Sequence, residues 1–412
     1  MAAAGSAMRP VERQRVRMVL SLCFAAALFE GADAVTLGLA APSLAPVIHM
    51  RTTQLGSAIS LTTLGLLIGA TLGGRLSDRI GRRKVVISSM LILGLSSFAT
   101  IPIASVNALF VLRFITGLGL GCLLPTLIAV ASEVARKEQG TAKVGAMFCG
   151  VPLGACLLGF VAAGCDLQWQ GIFAVGGVGP LLLVPVLFAF LPETIPSITR
   201  GNADGAQPRE SLLAALFAQS RAGTTLLLWL AAFFTSAAIW ILVGWFPSLM
   251  VARGFSRLEA THLAALENLG AAAGSVAISR CYDVGRPWVV LVVTYAAMSA
   301  LLMSLVHASG FTQTAAAGTA CGFFVTGGQL LLYAMIPRYY PPTARGTGVG
   351  AAVSVGRLGS ISGPALVGLL LGAGFGAAAV FLAMMPGLIV AGAALTLLAV
   401  TKSRREQNPL AG

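Results

Sequence analysis

Gly74-Arg75-Leu76-Ser77-Asp78-Arg79-Ile80-Gly81-Arg82-Arg83-Lys84 is a dense basic turn between two apolar stretches, and it recurs in reduced form as Arg280-Cys281-Tyr282-Asp283 with Gly285-Arg286. The offset is 205 residues, with one residue lost before the second glycine. A second echo sets Gln139-Gly140-Thr141 and Gly150 against Arg345-Gly346-Thr347 and Gly356 at an offset of 206. The chain therefore reads as an internal duplication whose two copies enter the membrane in the same orientation.

Outward from that turn, apolar runs long enough to cross a bilayer centre near residues 30, 63, 93, 118, 153 and 180, and again near 236, 268, 297, 323, 357 and 386. Backbone polar groups in lipid need partners within their own segment, so these runs predict helices; the short alternating segments of a membrane barrel are missing. Hydrophobic residues make up 57% of the 412 residues and charged residues 10%, too little polar surface to cover a soluble globule. The most polar internal stretch, Pro192 to Arg221, separates the copies. The expected architecture is an all-α membrane protein with twelve transmembrane helices in two pseudo-symmetric bundles, residues 1–191 and 223–412, joined by a cytoplasmic linker over 192–222.

The formal charge of +13 raises the question of nucleic-acid binding, and the placement of the cations answers against it. With the amino terminus inside, 22 of the 27 Lys and Arg residues fall on the cytoplasmic side, Arg51, Arg253 and Arg257 fall outside, and Arg113 and Arg357 lie within helices. The positive-inside rule then puts both termini in the cytoplasm. The first apolar stretch follows Arg9, Arg13, Arg15 and Arg17 as a signal peptide does, yet it runs past Glu30 and Asp33 without a cleavage site and reads as a retained helix. Seven cysteines without CxxC or Cys/His clustering predict neither disulfides nor a metal site.

The basic turn at 74–84 resembles the loop signature of the major facilitator superfamily; Leu191-Pro192-Glu193-Thr194 and Trp169-Gln170-Gly171-Ile172-Phe173 resemble two further marks of it. Phe29-Glu30-Gly31-Ala32-Asp33 resembles the first-helix acidic motif of that superfamily's aromatic acid:proton symporters. Within these the chain is similar to bacterial 3-(3-hydroxyphenyl)propionate transporters through Cys149-Gly150-Val151-Pro152-Leu153-Gly154-Ala155, Gly346-Thr347-Gly348-Val349-Gly350 and Val355-Gly356-Arg357-Leu358-Gly359 through Ser362-Gly363-Pro364. Glu267 departs from the pattern, where a glutamine is expected. The resemblance implies the major facilitator fold in the cell inner membrane, uptake of a small aromatic carboxylate coupled to protons, and no cofactor beyond the coupling ion.

Ionisable groups at membrane depth are costly and mark ion or substrate paths; here they are Glu30, Asp33, Arg113, Glu267 and Arg357. At about 1.5 Å per residue, Glu30, Glu267 and Arg357 lie roughly 14 to 18 Å along their helices, near the midplane, and Asp33 follows Glu30 by one turn on the same face. Three acids against two arginines leave an excess negative charge that an anionic substrate increases, so a proton entering with the anion is the economical way to neutralise the site. Asp33 and Glu30 are the expected proton carriers, and Arg357 the partner of a planar carboxylate, which a guanidinium matches with two hydrogen bonds. Arg113 either assists with substrate or pairs with the acids to hold helices one and four together. Glu267 is either a further proton-coupling site or a partner for Arg357.

Aromatic walls for such a substrate are available in Phe233, Phe234, Trp240 and Tyr333, with Gln329 one turn from Tyr333 to bond a ring hydroxyl; ordinary packing accounts for the same residues. Trp245 reads as part of the interfacial belt. Asp78, Arg79, Gly81 and Arg82, with Asp283 and Arg286 as the weaker counterpart and Glu133 as a partner, are expected to form a conformational latch at the cytoplasmic surface, against the simpler reading of topology-setting charges. Glycines in helices five and eleven let helices approach closely, as rocking requires.

The rival reading is a proton-coupled drug or metabolite exporter of the same superfamily, suggested by Gly363-Pro364; that dipeptide lies in helix eleven, and two intramembrane arginines favour an organic anion. No catalytic Ser/His/Asp set, metal cluster or phosphate loop points to an enzyme or an ATP-driven pump. The expected partners are the aromatic carboxylate, protons and the lipid bilayer, with the chain acting as a monomer.

Overall fold

The computed structural model describes residues 10–134, 147, 149–193, 216–217, 221–284, 287–340 and 345–407. In the first half these form α1 (Pro10–Val47), α2 (Thr52–Ile80), α3 (Arg82–Thr100), α4 (Val106–Val134), α5 (Gly150–Gly164) and α6 (Trp169–Phe190). The second half has α7 (Ala222–Ala252), α8 (Arg257–Val284), α9 (Pro287–His307), α10 (Phe311–Met335), a 3₁₀ turn Ile336–Tyr339, α11 (Arg345–Gly372) and α12 (Ala377–Gln407). The twelve helices are those the apolar runs predict, and most of the interhelical linker expected over 192–222 lies outside the described residues.

Ten of the helices are long and apolar enough to cross a membrane. The described part of α5 is apolar but shorter. α8 is long enough yet too polar by composition, carrying Glu259, His262, Glu267, Asn268 and Arg280; Glu267 and Asn268 are turned inward and buried. Its start is fixed by a reciprocal cap, in which the Ser256 N–H donates to Glu259 Oε2 at 2.8 Å and the Glu259 N–H donates to Ser256 Oγ at 3.2 Å.

Each half packs the same way. α2 lies on α4 and α1 on α5, as α8 lies on α10 and α7 on α11. The duplication read from the loops persists in these contacts. A Cβ at Gly65 or Gly69 would overlap the carbonyls of Phe114 or Leu118, and 205 residues on, one at Gly270 or Gly274 would overlap those of Thr319 or Phe323. Gly154 sits on the Leu28 carbonyl as Gly359 sits on that of Phe233, again at 205. Bare backbone on backbone is how these helices approach closely without a hydrophobic drive between them.

The halves meet along α1 with α7, α2 with α11 and α5 with α8. Their contacts concentrate on the face opposite the chain ends. There Gly56 packs on Pro364 and Gly368, Ser60 Oγ donates to the Ile361 carbonyl at 2.7 Å, and Gly38 packs on Val243 and Gly244. Arg257 at the start of α8 pairs with Asp166 and donates to the Leu167 carbonyl at 2.6 Å, clasping the second half to the first. Toward the face that carries the chain ends, Leu72 and Leu76 of α2 and Ser354 and Leu358 of α11 are exposed. The seam is shut on the face opposite the chain ends.

Trp245 corrects one expectation. It is 1% exposed and not at an interface; its ring is buried between α7 and α11, and its indole N–H donates to the Pro364 carbonyl at 3.1 Å, so its polar tip needs no water.

Candidate functional site

α1 brings Glu30 and Asp33, one turn apart, into the interior of the first half, where they are 6% and 2% exposed. Asp33 accepts a hydrogen bond from Ser97 Oγ of α3 at 2.9 Å, and its other carboxylate oxygen stands 3.9 Å from the guanidinium of Arg113 on α4. Arg113 is itself 1% exposed, donates to Thr100 Oγ1 at 3.5 Å, and lies over the Phe173 ring of α6 at 5.1 Å. Four helices thus hold one buried ion pair with two hydroxyls and a π face beside it, while Arg113 Nε and Asp33 Oδ2 have no hydrogen-bond partner among the described residues. Of the two readings open for Arg113, the geometry realises the pairing with an acid.

Glu30 is less satisfied: its Oε2 is buried with no hydrogen-bond partner among the described residues. Its electrostatic partner comes from the other half, since the half-buried Arg357 of α11 lies within Coulombic reach while no ion pair within 4 Å joins them. Glu30 and Arg357 therefore act on one another electrostatically across the seam without forming an ion pair.

Two small cavities lie where α1 crosses α7. The first is lined by Asp33, Thr62, Arg113 and Trp240 among apolar neighbours. The second is lined by Glu267 and Asn268 of α8 with side chains of α1, α5 and α7. Glu267 is 4% exposed, and among the described residues it has neither hydrogen bond nor ion pair, so the pairing with Arg357 is not formed here. Trp240 does provide an aromatic wall to the first cavity. Gln329 is buried and spends its amide on Ser236, donating from Nε2 at 3.1 Å; Tyr333 is half-buried against the core, and neither lines these cavities. Phe233 and Phe234, edge to face at 5.3 Å, line a separate groove between α7, α11 and α12.

At the basic turn, Gly81 joins α2 to α3 with φ +98°, a conformation that favours glycine, and a Cβ there would press on the Glu193 carboxylate. Glu193 Oε1 accepts from the Arg83 N–H at 3.3 Å, placing a negative charge at the first turn of α3. Arg83 in turn donates to the Phe188 carbonyl and lies 4.9 Å over its ring. Arg82 is buried and Arg79 exposed. The described contacts of the turn are thus to the end of α6 in the same half. Asp78, Glu133 and Asp283 lie on α2, α4 and α8, but their side chains are outside the described residues, as is Arg286.

Ser97, Thr62, Asn268 and the Arg257–Asp166 clasp were not singled out from sequence. Asp166, at φ +44°, follows Cys165 in a loop, and its partner is 91 residues away, a pairing that no local pattern signals. Glu193 was visible only as part of a motif.

The family model described as Major Facilitator Superfamily matches residues 22–283 and 228–412. The chain is 43% identical to the 3-(3-hydroxy-phenyl)propionate transporter of Escherichia coli (strain K12), over 95% of this chain and 96% of that one. It is 31% identical to the 4-hydroxybenzoate transporter PcaK of Pseudomonas putida, over 89% and 88%. Among solved structures, the nucleoside transporter NupG superposes with a TM-score of 0.77 at 13% identity, covering 93% of this chain and 99% of that one. The xylose transporter XylE from E. coli, in an inward open conformation, gives 0.72 at 16% identity, covering 94% and 95%. At such identities these two structures speak for the fold alone. With the duplicated six-helix plan and matches along nearly the full length, the chain belongs to the major facilitator superfamily, a multi-pass membrane transporter and not an enzyme.

Proposed function

We propose that this transporter takes up a small aromatic carboxylate, such as a hydroxyphenylpropionate or hydroxybenzoate, together with protons, by alternating access. The observation that carries the reading is the placement of Arg357 in one half opposite the incompletely satisfied Glu30 of the other, with the Asp33–Arg113 pair one turn away. An anion bound at Arg357 brings negative charge toward Glu30, and a proton on that acid relieves the repulsion. Arg357, Trp240, Tyr333, Gln329 and Arg113 are the substrate residues in this reading; Asp33, Glu30 and Glu267 carry protons, and no cofactor takes part. The names of the relatives support an aromatic acid as cargo.

In this reading the protein is a monomer of the inner membrane, with both termini cytoplasmic as the cation distribution favours. The bundles 1–191 and 223–412 rock about the linker 192–222. The shut seam then lies on the outer face, and the conformer opens to the cytoplasm. The basic turns near Asp78 and Asp283, with Arg79, Gly81, Arg82 and Glu133, latch the alternative conformer.

The test is uptake into vesicles containing the purified protein, scanning labelled aromatic acids with and without an inward proton gradient. Accumulation that disappears when the gradient is collapsed supports symport. Accumulation of no aromatic acid, or accumulation indifferent to the gradient, removes the reading.

A further inference from the structure

The two cavities at the crossing of α1 and α7 are copies of one another. Leu37, Gly38 and Thr62 line the first, and 205 residues on, Leu242, Val243 and Glu267 line the second. The relation is reciprocal, because Val35 and Leu39 in the second cavity correspond to Trp240 and Gly244 in the first. The duplication therefore extends to the site itself, and what differs is charge. The first cavity has an acid, Asp33, and a cation, Arg113; their counterparts 205 residues on are Ala238 and Gly318. The second has its acid where the first has Thr62, and no cation.

Nothing among the described residues that faces Glu267 makes up for the missing charge. From α1, α5 and α7 the cavity receives Val35, Leu39, Ala155, Leu242, Phe246 and Pro247, all apolar. On α10 the backbone of Gly322 lies against it, and the titratable neighbour within electrostatic reach is Cys321, which offers no positive charge. Of the titratable groups on α9, Tyr295 is hydrogen-bonded to Thr235 and His307 is exposed at the helix end. Asn268 directs one amide N–H to the Ala264 carbonyl and carries no charge. An ionised carboxylate walled in this way, with no cation facing it among the described residues, is strongly disfavoured. The enclosure exists only while the seam is shut, since its walls come from α1 and α5 of one half and α7 and α8 of the other.

We propose that Glu267 is a proton site gated by the seam: it must be neutral for the α1–α7 and α5–α8 contacts to close, and its ionisation favours reopening. The carboxylate takes a proton from water in the opened seam, forming the O–H bond; closure encloses the neutral acid. Loss of that proton toward the opposite side leaves an anion with no counter-charge, and the seam parts. Asp33 is not suited to this role, because Arg113 compensates it from within the same half whatever the position of the other. The proposal rests on the proton-coupled reading for its bearing on transport, but the seam movement is measurable by itself.

The experiment uses the full-length protein in lipid nanodiscs, with spin labels at Ala104→Cys and Ser309→Cys, exposed positions of the two halves on the shut face, in a background without the exposed Cys165 and Cys281. The distance between labels is followed from acid to alkaline pH. The parent protein is expected to pass from a short to a long distance as pH rises. Glu267→Gln, isosteric with the neutral acid, should hold the short distance throughout, and Glu267→Asp should restore the transition. In vesicles, Glu267→Gln should lose about tenfold of accumulated 3-(3-hydroxyphenyl)propionate per pH unit of gradient, the equivalent of one coupled proton. A Glu267→Gln protein that keeps the parent's pH-dependent opening overturns the proposal. A parent that opens with pH as described yet accumulates no aromatic acid overturns the symport reading and leaves the gate standing.

Discussion

Asp33 and Arg113 are each about as buried as any residue in the protein, and their facing atoms stand 3.9 Å apart between α1 and α4. Neither charge is exposed to the surface. Arg113→Leu is therefore expected to destabilise the protein by about 3–5 kcal/mol, the cost of stranding a buried charge, while the double change Asp33→Leu with Arg113→Leu recovers most of it. Thermal unfolding of the purified variants in detergent measures both. A double variant as unstable as Arg113→Leu alone would show that the hydroxyls and the Phe173 ring, not the pair, hold Arg113.

Arg357 faces the seam without a fixed carboxylate partner, and a bidentate anion is what its guanidinium suits. Replacement by lysine keeps the charge and loses the fork. The half-saturation concentration for uptake should rise about 10- to 100-fold, the worth of one charge-assisted hydrogen bond, with protein abundance unchanged. Near-normal uptake by Arg357→Lys would place the carboxylate elsewhere.

Much of this was legible in the chain itself. The apolar runs gave the twelve helices because lipid leaves the backbone one way to satisfy itself, and the repeated basic turn gave the two halves. Glu30, Asp33, Arg113, Glu267 and Arg357 stood out because charge at membrane depth is rare. What escaped was relational. Ser97 is one of many serines until α3 is packed beside α1, and Thr62 acquires meaning only as the counterpart of Glu267. Trp245 was misjudged because a sequence shows that an indole sits near a helix end but not that a neighbouring carbonyl is turned toward it.

Gly154 and Gly359, equivalent in the two halves, should respond alike. Adding a methyl at either overlaps a backbone carbonyl that has no rotamer by which to move away. Gly154→Ala and Gly359→Ala are each expected to cost about 1–3 kcal/mol, as overpacking does. Gly164→Ala, with nothing within 4 Å of the new Cβ, should change stability by no more than about 0.5 kcal/mol. Equal effects at all three positions, read by thermal unfolding, would contradict the packing described.

The clasp from Arg257 to Asp166 and Leu167 ties the halves together where side chains are 25% and 66% exposed. Water screens such a pair, so Asp166→Asn should shift the balance between shut and open seam by no more than about fivefold, corresponding to at most about 1 kcal/mol. The shift should fade as salt is raised. Label-to-label distances across the same face, at low and high ionic strength, report it; a salt-independent effect would mean that the loop's shape, not its charge, is responsible.

In the rocking proposed above, part of the surface on which the two halves would turn is main chain on main chain, as where Gly56 lies on Pro364 and Gly368. A joint made of peptide groups carries little information about cargo. Substitutions that retune the cavity for a different ring or acid leave such a bearing untouched, so the machinery of movement and the choice of passenger are free to evolve apart.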